Sequence, residues 1–97
     1  MHVISYKAIR EFIKDHPDAG LKLGRWYKRI KKGKFNSLNE LKRKFPDVDY
    51  IGNDRYVFNI SGNKYRLIAV IFLSTQIVLI RFIGTHAEYN KINALKV

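Results

Sequence analysis

The sequence predicts a small α+β domain, because its two halves show different periodicities. Apolar residues recur at helical spacing over most of the first 45 residues, whereas residues 55–83 form three apolar runs separated by short turn signals. A chain of 97 residues has room for one domain, and its 46% hydrophobic residues can supply a core. We expect a single domain over residues 1–97, with an N-terminal helical hairpin and a short helix packed on a small antiparallel sheet, and a short C-terminal helix.

The N-terminal hairpin is predicted from caps and apolar spacing. Residues 2–4 suit a short edge strand, and Ser5 can cap a first helix that runs to about Asp15. A second helix opens at Pro17-Asp18, since proline suits a first turn, and ends near Gly33. Its apolar positions are Ala19, Leu23, Trp26, Tyr27 and Ile30. Aromatic side chains are usually buried, so we expect both of its aromatic residues to lie in the core.

A short third helix and a C-terminal helix are predicted from two capping boxes. Ser37-Leu38-Asn39-Glu40 starts the first of them, which ends at Phe45-Pro46. Thr85-His86-Ala87-Glu88 starts the second, which we expect to continue through about Leu95. Residues 47–54 between the third helix and the strands are interpreted as a turn-rich connection.

Three strands are expected at about residues 55–60, 64–73 and 77–83. Both junctions are short, which favours an antiparallel meander. The first junction contains Gly62-Asn63, a plausible two-residue turn with glycine where a positive φ is needed. The last two strands are apolar on both faces, so we expect the sheet to be covered on both sides or packed deeply.

The charge is large and uneven. The net charge is +11, and residues 1–44 hold 13 of the 19 basic and 4 of the 8 acidic residues, which leaves that half at +9. Such a balance indicates a polyanionic partner, which is a nucleic acid, an acidic protein or an anionic membrane, although a solvated basic face without a partner is the alternative. Along the second helix, the basic residues Lys22, Arg25, Arg29 and Lys32 either contact RNA phosphates or form an ordinary outer face.

Several classes of site are excluded by composition. The absence of cysteine rules out disulfides and cysteine-based zinc sites, and the three histidines are too scattered for a convincing metal site. We therefore expect no metal and no cofactor. The longest apolar run, residues 67–73, is far shorter than a membrane span, and no signal peptide is visible after Met1. The expected location is the cytoplasm.

The few polar residues of the strands gather towards one end of the sheet. If the hairpins close with two-residue turns at Gly62-Asn63 and Thr75-Gln76, Asn59 lies opposite Arg66 and Arg81 lies opposite Val70. Three polar side chains would then share one face, namely Asn59, Arg66 and Arg81. His86 would lie just beyond its end. A slip of one residue in the second hairpin would move Arg81 to the other face.

This arrangement suits metal-free cleavage of RNA. The reaction needs a base for the 2′-hydroxyl, cations for the charged transition state and an acid for the leaving 5′-oxygen. Arginine matches phosphate oxygens bidentately, and His86 has the side chain most suited to acid–base work. Tyr89 follows on the same helical face. Each residue also has a structural reading: His86 as a surface or cap residue, an arginine as an ion-pair partner, and Tyr89 as a core anchor.

Five stretches of the sequence match the pattern of one known family. They are Met1-His2-Val3-Ile4, Leu41-Lys42-x-x-Phe45-Pro46, Tyr56-Val57-Phe58-Asn59-Ile60-x-Gly62-Asn63-x-x-Arg66, Ile80-Arg81 and Thr85-His86-x-Glu88-Tyr89. Through them, and over nearly its whole length, the sequence resembles the HigB toxins, within the wider RelE/ParE group of type II toxin–antitoxin systems. The resemblance implies a RelE-like toxin domain and an mRNA interferase that cleaves translated messages on the ribosome. It also implies a HigA antitoxin with a helix-turn-helix domain, through which alone DNA would be contacted. No membrane partner is implied.

The resemblance also suggests roles for individual residues. Arg66 and Arg81 are expected to bind the scissile phosphate, His86 to act as acid or base, and Tyr89 to orient a neighbour or stack on a base. Lys64 and Asn59 are expected to be additional RNA contacts. Many relatives carry Asp after the Glu-Tyr pair, where this chain has Asn90. Two alternatives stay open: a ParE-like toxin that inhibits gyrase by protein contact, and a non-catalytic basic module that binds RNA or the ribosome.

Overall fold

A five-stranded sheet organises the protein in the computed structural model, which describes all 97 residues. The strands are β1 (His2–Ile4), β2 (Asp49–Gly52), β3 (Arg55–Ile60), β4 (Tyr65–Phe72) and β5 (Ile77–Thr85). The helices are α1 (Tyr6–Asp15), α2 (Gly20–Lys32), α3 (Leu38–Lys44) and α4 (His86–Tyr89), and a 3₁₀ turn at Pro17–Ala19 leads into α2. The α+β class with N-terminal helices and a short C-terminal helix is confirmed.

The sheet has the strand order β1-β5-β4-β3-β2. Strands β2 to β5 form the predicted antiparallel meander, and β1 adds a parallel edge strand beside β5, so the complete sheet is mixed. Strand β2 lies within the segment that the sequence indicated to be a turn-rich connection. The alternation of polar and apolar residues in β2 is short and is interrupted by Asp49 and Gly52, so it does not indicate a strand. In the structure, the ring of Tyr50 packs on that of Tyr56 in β3, with the ring centroids 4.9 Å apart.

The helix boundaries agree with the sequence except at two places. Ser5 precedes α1 in a left-handed conformation (φ 79°) and its side chain makes no capping bond, so the predicted cap is wrong there. Ser37 does cap α3, because its hydroxyl accepts a hydrogen bond from the Glu40 amide at 3.2 Å. The helix predicted to run through Leu95 ends instead at Tyr89.

The chain after α4 turns back onto the sheet. The side chain of Asn53 donates to the Leu95 carbonyl at 3.3 Å, and Arg55 Nη2 donates to the Val97 carbonyl at 2.7 Å. These bonds hold the tail against the β2–β3 hairpin. No helix of the protein is both long and apolar enough to span a membrane.

Both faces of the sheet are covered, as predicted. Helices α1, α2 and α3 cover one face over a core that includes Ile9, Leu23, Ile30, Leu41, Leu67, Ile71 and Val78. On the other face, Val57, Ile68 and Val70 are buried on the side where α4 and the tail lie. We call this second side the outer face.

The two hairpins differ in how well the sequence predicted their register. In the first, Asn59 pairs with Arg66 as expected, and Gly62 has a positive φ of 67°. In the second, Val70 pairs with Leu79 rather than Arg81, so that prediction is wrong. The pairing then shifts between Ala69–Ile80 and Ile68–Phe82, which leaves Arg81 as the extra residue of a β-bulge.

The second turn differs because Gln76 is anchored elsewhere. Its backbone is left-handed (φ 59°), and its side-chain amide donates to the carbonyls of Phe35 at 2.6 Å and Leu73 at 2.7 Å. It also accepts from the Phe35 amide at 3.2 Å. These bonds tie the β4–β5 connection to the loop between α2 and α3. Because this contact is long-range, turn rules that use only neighbouring residues cannot predict it.

Candidate functional site

An open cleft of about 350 Å³ lies on the outer face where the first hairpin, α4 and the α3–β2 connection meet. Asn59 from β3, Arg66 from β4 and Tyr89 from α4 line it, together with Val57, residues 46–48 of the connection and Asp49 at the start of β2. We call it the Arg66 cleft. Asn59 and Arg66 are brought together by strand register, and Tyr89 by the position of α4. The structure therefore assembles three of the residues that the sequence singled out.

Arg66 is held in place but not neutralised. Its guanidinium carbon lies 4.6 Å from the centroid of the Tyr89 ring, which is a cation–π contact. The two ion pairs of the protein involve other residues, so no carboxylate lies within 4 Å of this arginine. Its Nε is buried without a hydrogen-bond partner. A positioned cation with an unused donor is suited to binding an anion in the cleft.

Asn59 contributes a second unused polar atom. Its Oδ1 is buried and accepts no hydrogen bond. Buried acceptors without a partner are rare in proteins, since each loses its hydration without compensation. A ligand in this cleft that carries both an acidic oxygen and a hydroxyl or amino donor would satisfy both Arg66 and Asn59.

Tyr89 owes its position to the capping box of α4. The Thr85 hydroxyl accepts from the Glu88 amide at 3.2 Å, and the Glu88 carboxylate accepts from the Thr85 amide at 2.8 Å. The latter hydrogen bond is the main reason why the pKa of Glu88 lies below its usual range. The ring of Phe82 supports Tyr89 from β5, with the centroids 6.5 Å apart.

Gly84 leaves room for the ring of Phe82 beside Tyr89. It pairs with Arg66 across the β4–β5 ladder, and a Cβ atom placed on it would lie 2.5 Å from the ring of Phe82. A side chain at this position would therefore displace the ring against which Tyr89 packs.

His86 and Arg81 lie outside the Arg66 cleft. His86 is half-buried at the first position of α4, one turn before Tyr89, and is not among the residues that line the cleft. Arg81 is exposed at the β5 bulge and lines a separate depression with Glu11 and Asp15 of α1. The prediction that Arg81 shares the face of Asn59 and Arg66 through its pairing with Val70 fails, because the second turn and the bulge change the register.

Lys64 is already paired. Its ammonium group donates to the carboxylate of Asp18, which also accepts from the Tyr65 hydroxyl at 2.9 Å. The bond with Lys64, followed by the bond with Tyr65, holds the pKa of Asp18 below its usual range, and the same carboxylate raises the pKa of Lys64. This contact joins the β3–β4 turn to the start of α2.

The basic residues of α2 lie on two sides of the helix. Lys22, Arg25 and Arg29 line a second cleft together with Trp26, and this cleft includes Asn59. We call it the α2 cleft. Trp26 is buried as predicted, whereas Lys32 does not line the α2 cleft and lies in a neighbouring depression with Arg29, Lys34 and Lys44.

Two acidic residues of the Arg66 cleft were not among the site residues predicted from the sequence. Asp47 lines it from the α3–β2 connection, and Asp49 from the first position of β2. A carboxylate can accept a proton from a hydroxyl group, so both side chains are of a chemical type that can serve as a base. The only signal in the sequence was two acids in a short segment of a basic chain, which is also an ordinary feature of a turn.

Comparison with known proteins gives consistent matches over this region. Residues 19–92 match the family of HigB toxins, described as the RelE-like toxic component of a toxin–antitoxin system. The mRNA interferase toxin HigB of Escherichia coli (strain K12) is 35% identical over 98 residues, which covers 98% of this chain and 93% of that protein. The mRNA interferase HigB of Shigella flexneri matches with the same identity and coverage.

A further relative is more distant. The mRNA interferase HigB of Escherichia coli O6:H1 (strain CFT073) is 33% identical over 94 residues, which covers 95% of this chain and 91% of that protein. These similarities extend over nearly the full length, and the matched family segment includes Asn59, Arg66 and Tyr89.

Proposed function

Because this chain belongs to the HigB toxin family, the RelE-like toxic components of toxin–antitoxin systems, we propose that it is an mRNA interferase that cleaves translated mRNA on the ribosome. The observation that carries the proposal is the Arg66 cleft, where an unpaired arginine contacts Tyr89 beside the unpartnered Oδ1 of Asn59. The relatives from Escherichia coli and Shigella flexneri are mRNA interferases by name, which supports the same activity.

The proposed reaction is attack of a ribose 2′-oxygen on the adjacent phosphorus. A base takes the 2′-hydroxyl proton as the new P–O bond forms, and an acid protonates the 5′-oxygen as the old P–O bond breaks. The products are a 2′,3′-cyclic phosphate and a 5′-hydroxyl end. Arg66 binds the scissile phosphate and stabilises the charge that builds up in the transition state.

The remaining roles follow from position. Tyr89 fixes the Arg66 guanidinium and offers an aromatic face to a base. His86, one turn away on α4, is the proposed acid or base, and Asp47 or Asp49 supplies the complementary group. The proposed mechanism uses no metal ion. Arg81 contributes least, because it lies in a different depression.

A toxin of this family requires an antitoxin. We propose a HigA-type protein with a helix-turn-helix domain, which would bring the complex to DNA without direct contact from this chain. The ribosome supplies the mRNA and additional binding surface, and the site of action is the cytoplasm. The basic first half of the chain suits ribosomal RNA, because uncompensated lysine and arginine attract phosphates.

The proposal is tested in a translation reaction with a reporter mRNA, analysed for new 5′ ends. Cuts within codons that appear only when ribosomes translate, and that carry 5′-hydroxyl groups, are the expected result. Inhibition of supercoiling without mRNA cuts would favour a gyrase-directed toxin instead. Ribosome binding without cuts would favour a non-catalytic module.

A further inference from the structure

The α2 cleft is a second surface against which a nucleotide chain fits, and it adjoins the Arg66 cleft. Lys22, Arg25 and Arg29 line its helical side, and residues 59–62 of the β3–β4 hairpin line its sheet side. Asn59 lines both clefts. Two open clefts that share one residue can hold neighbouring nucleotides of a single strand.

The basic row of α2 is free to bind phosphates. The spacing i, i+3, i+7 places Lys22, Arg25 and Arg29 on one side of the helix. Over seven residues this row extends about 10 Å along the helix axis, so it can contact more than one phosphate. All three residues are exposed, and neither ion pair of the protein involves them.

Trp26 gives an independent indication of a ligand. It is only 4% exposed and lines the α2 cleft, yet its indole Nε1 is buried without a hydrogen-bond partner. The Oδ1 of Asn59, an acceptor, is also unpartnered. RNA carries both kinds of missing partner, because its phosphates accept hydrogen bonds and the amino groups of its bases donate them.

We propose that the α2 cleft binds single-stranded RNA next to the scissile phosphate, as part of the same strand that is held at Arg66. The inference rests on the proposed function and deepens it, because it assigns this row of α2 to the substrate and not to ribosomal RNA. The other side of α2, where Lys28 and Lys31 lie beside Tyr6 and Tyr27, is not part of this surface.

The protein has one tryptophan, so its fluorescence reports directly on this cleft. The probe is a 12-nucleotide 2′-O-methyl RNA, which cannot be cleaved by 2′-hydroxyl attack. Titration should change the Trp26 emission, and the affinity should fall as salt rises. The R25Q/R29Q variant should lose about 1.4 from the slope of log K against log salt, since each single-strand phosphate contact contributes about 0.7.

The matched control is K28Q/K31Q, which also removes two charges from the same helix, but from residues that do not line the α2 cleft. It should keep the wild-type salt slope and emission change. Equal losses in both double variants would overturn the inference, because binding would then report net charge and not the cleft. Lack of wild-type binding, or binding without a change in Trp26 emission, would overturn it as well.

Cleavage of the reporter mRNA separates this inference from the proposed function. If the wild-type protein cuts the reporter but the two double variants bind the probe equally, only the assignment of the α2 cleft fails. If the probe binds through Arg25 and Arg29 but the reporter is not cut, the proposed function fails and the cleft remains an RNA-binding surface.

Discussion

At the scale of single residues, Arg66 and Arg81 make a matched pair. Both are arginines of the sheet, but Arg66 lies in the cleft against Tyr89 and Arg81 lies at a bulge beside α1. Loss of one transition-state donor costs about 10²–10³-fold in rate, so R66A should reduce reporter cleavage by that amount. R66K should lose less, because it keeps the charge but not the planar fork.

The R81A variant is the control for this prediction. It should stay within a few-fold of wild-type cleavage while R66A does not, with both variants folded by circular dichroism. An R81A protein that loses as much activity as R66A would show that Arg81 reaches the substrate after all.

His86 can be compared with His16 in the same way. A general acid or base contributes about 10²–10⁴-fold, so H86A should lower cleavage by at least the lower figure. His16 stacks on Phe12 at 4.1 Å, so H16A should affect the free energy of unfolding more than cleavage. Reporter cleavage together with urea denaturation of both variants distinguishes the two effects. Near-normal cleavage by H86A would show that His86 is not the general acid or base, and would leave Asp47 and Asp49 as the candidates for that role.

Asp18 should make stability depend on pH. Its folded pKa is lowered from 3.8, chiefly by its hydrogen bond with Lys64, so its stabilising effect is complete above that value. The effect is lost as the pH falls through the lowered folded pKa. Urea denaturation at several pH values should therefore show wild type losing stability faster than D18N below about pH 4. E11Q removes the exposed Lys7–Glu11 pair and is the control; parallel wild-type and D18N curves would contradict the prediction.

At the scale of elements, the cap of α4 controls the position of Tyr89. Removing an N-cap hydroxyl costs about 1 kcal/mol, so T85A should destabilise α4 and lower cleavage without touching the cleft itself. T85S keeps the hydroxyl and should retain both. Hydrogen exchange at the Asn90 amide, which bonds to the His86 carbonyl at 3.1 Å, measures the stability of α4 directly. Unchanged hydrogen exchange in T85A would show that the Thr85 cap does not control the stability of α4, and would contradict the prediction.

The elements also show what the sequence can and cannot predict. The cap at Ser37, the capping box at Thr85 and the first hairpin depend on residues close together in the chain, and these predictions are confirmed, although at Ser37 only one of the two capping-box bonds forms, the one from the Glu40 amide to the Ser37 hydroxyl. The second hairpin depends on Gln76 bonding to Phe35, 41 residues away, and its register was predicted wrongly. Pairing of Asn59 with Arg66 was therefore predictable, whereas the separation of Arg81 from them was not.

At the scale of the whole molecule, the amount of charge can be read from the sequence, but its arrangement depends on the fold. The sequence shows an excess of basic residues in the first half, but only the fold shows that Lys64 is paired and that α2 divides its basic residues between two sides. Asp47 and Asp49 could not be assigned to the cleft, because the position of the α3–β2 connection depends on long-range packing.

The uncompensated charge of the whole molecule predicts steep salt dependence of ribosome binding. The chain has 19 basic residues and two ion pairs, so most of its cations are free to displace counterions from RNA. Six or more phosphate contacts would weaken binding about 10³-fold between 50 and 200 mM salt. Co-sedimentation with ribosomes over this range measures the slope, and sucrose of equal osmolality, which is uncharged, should leave binding unchanged. Salt-insensitive binding would mean that the ribosome is held by apolar contacts, and that the basic half of the chain is a solvated surface.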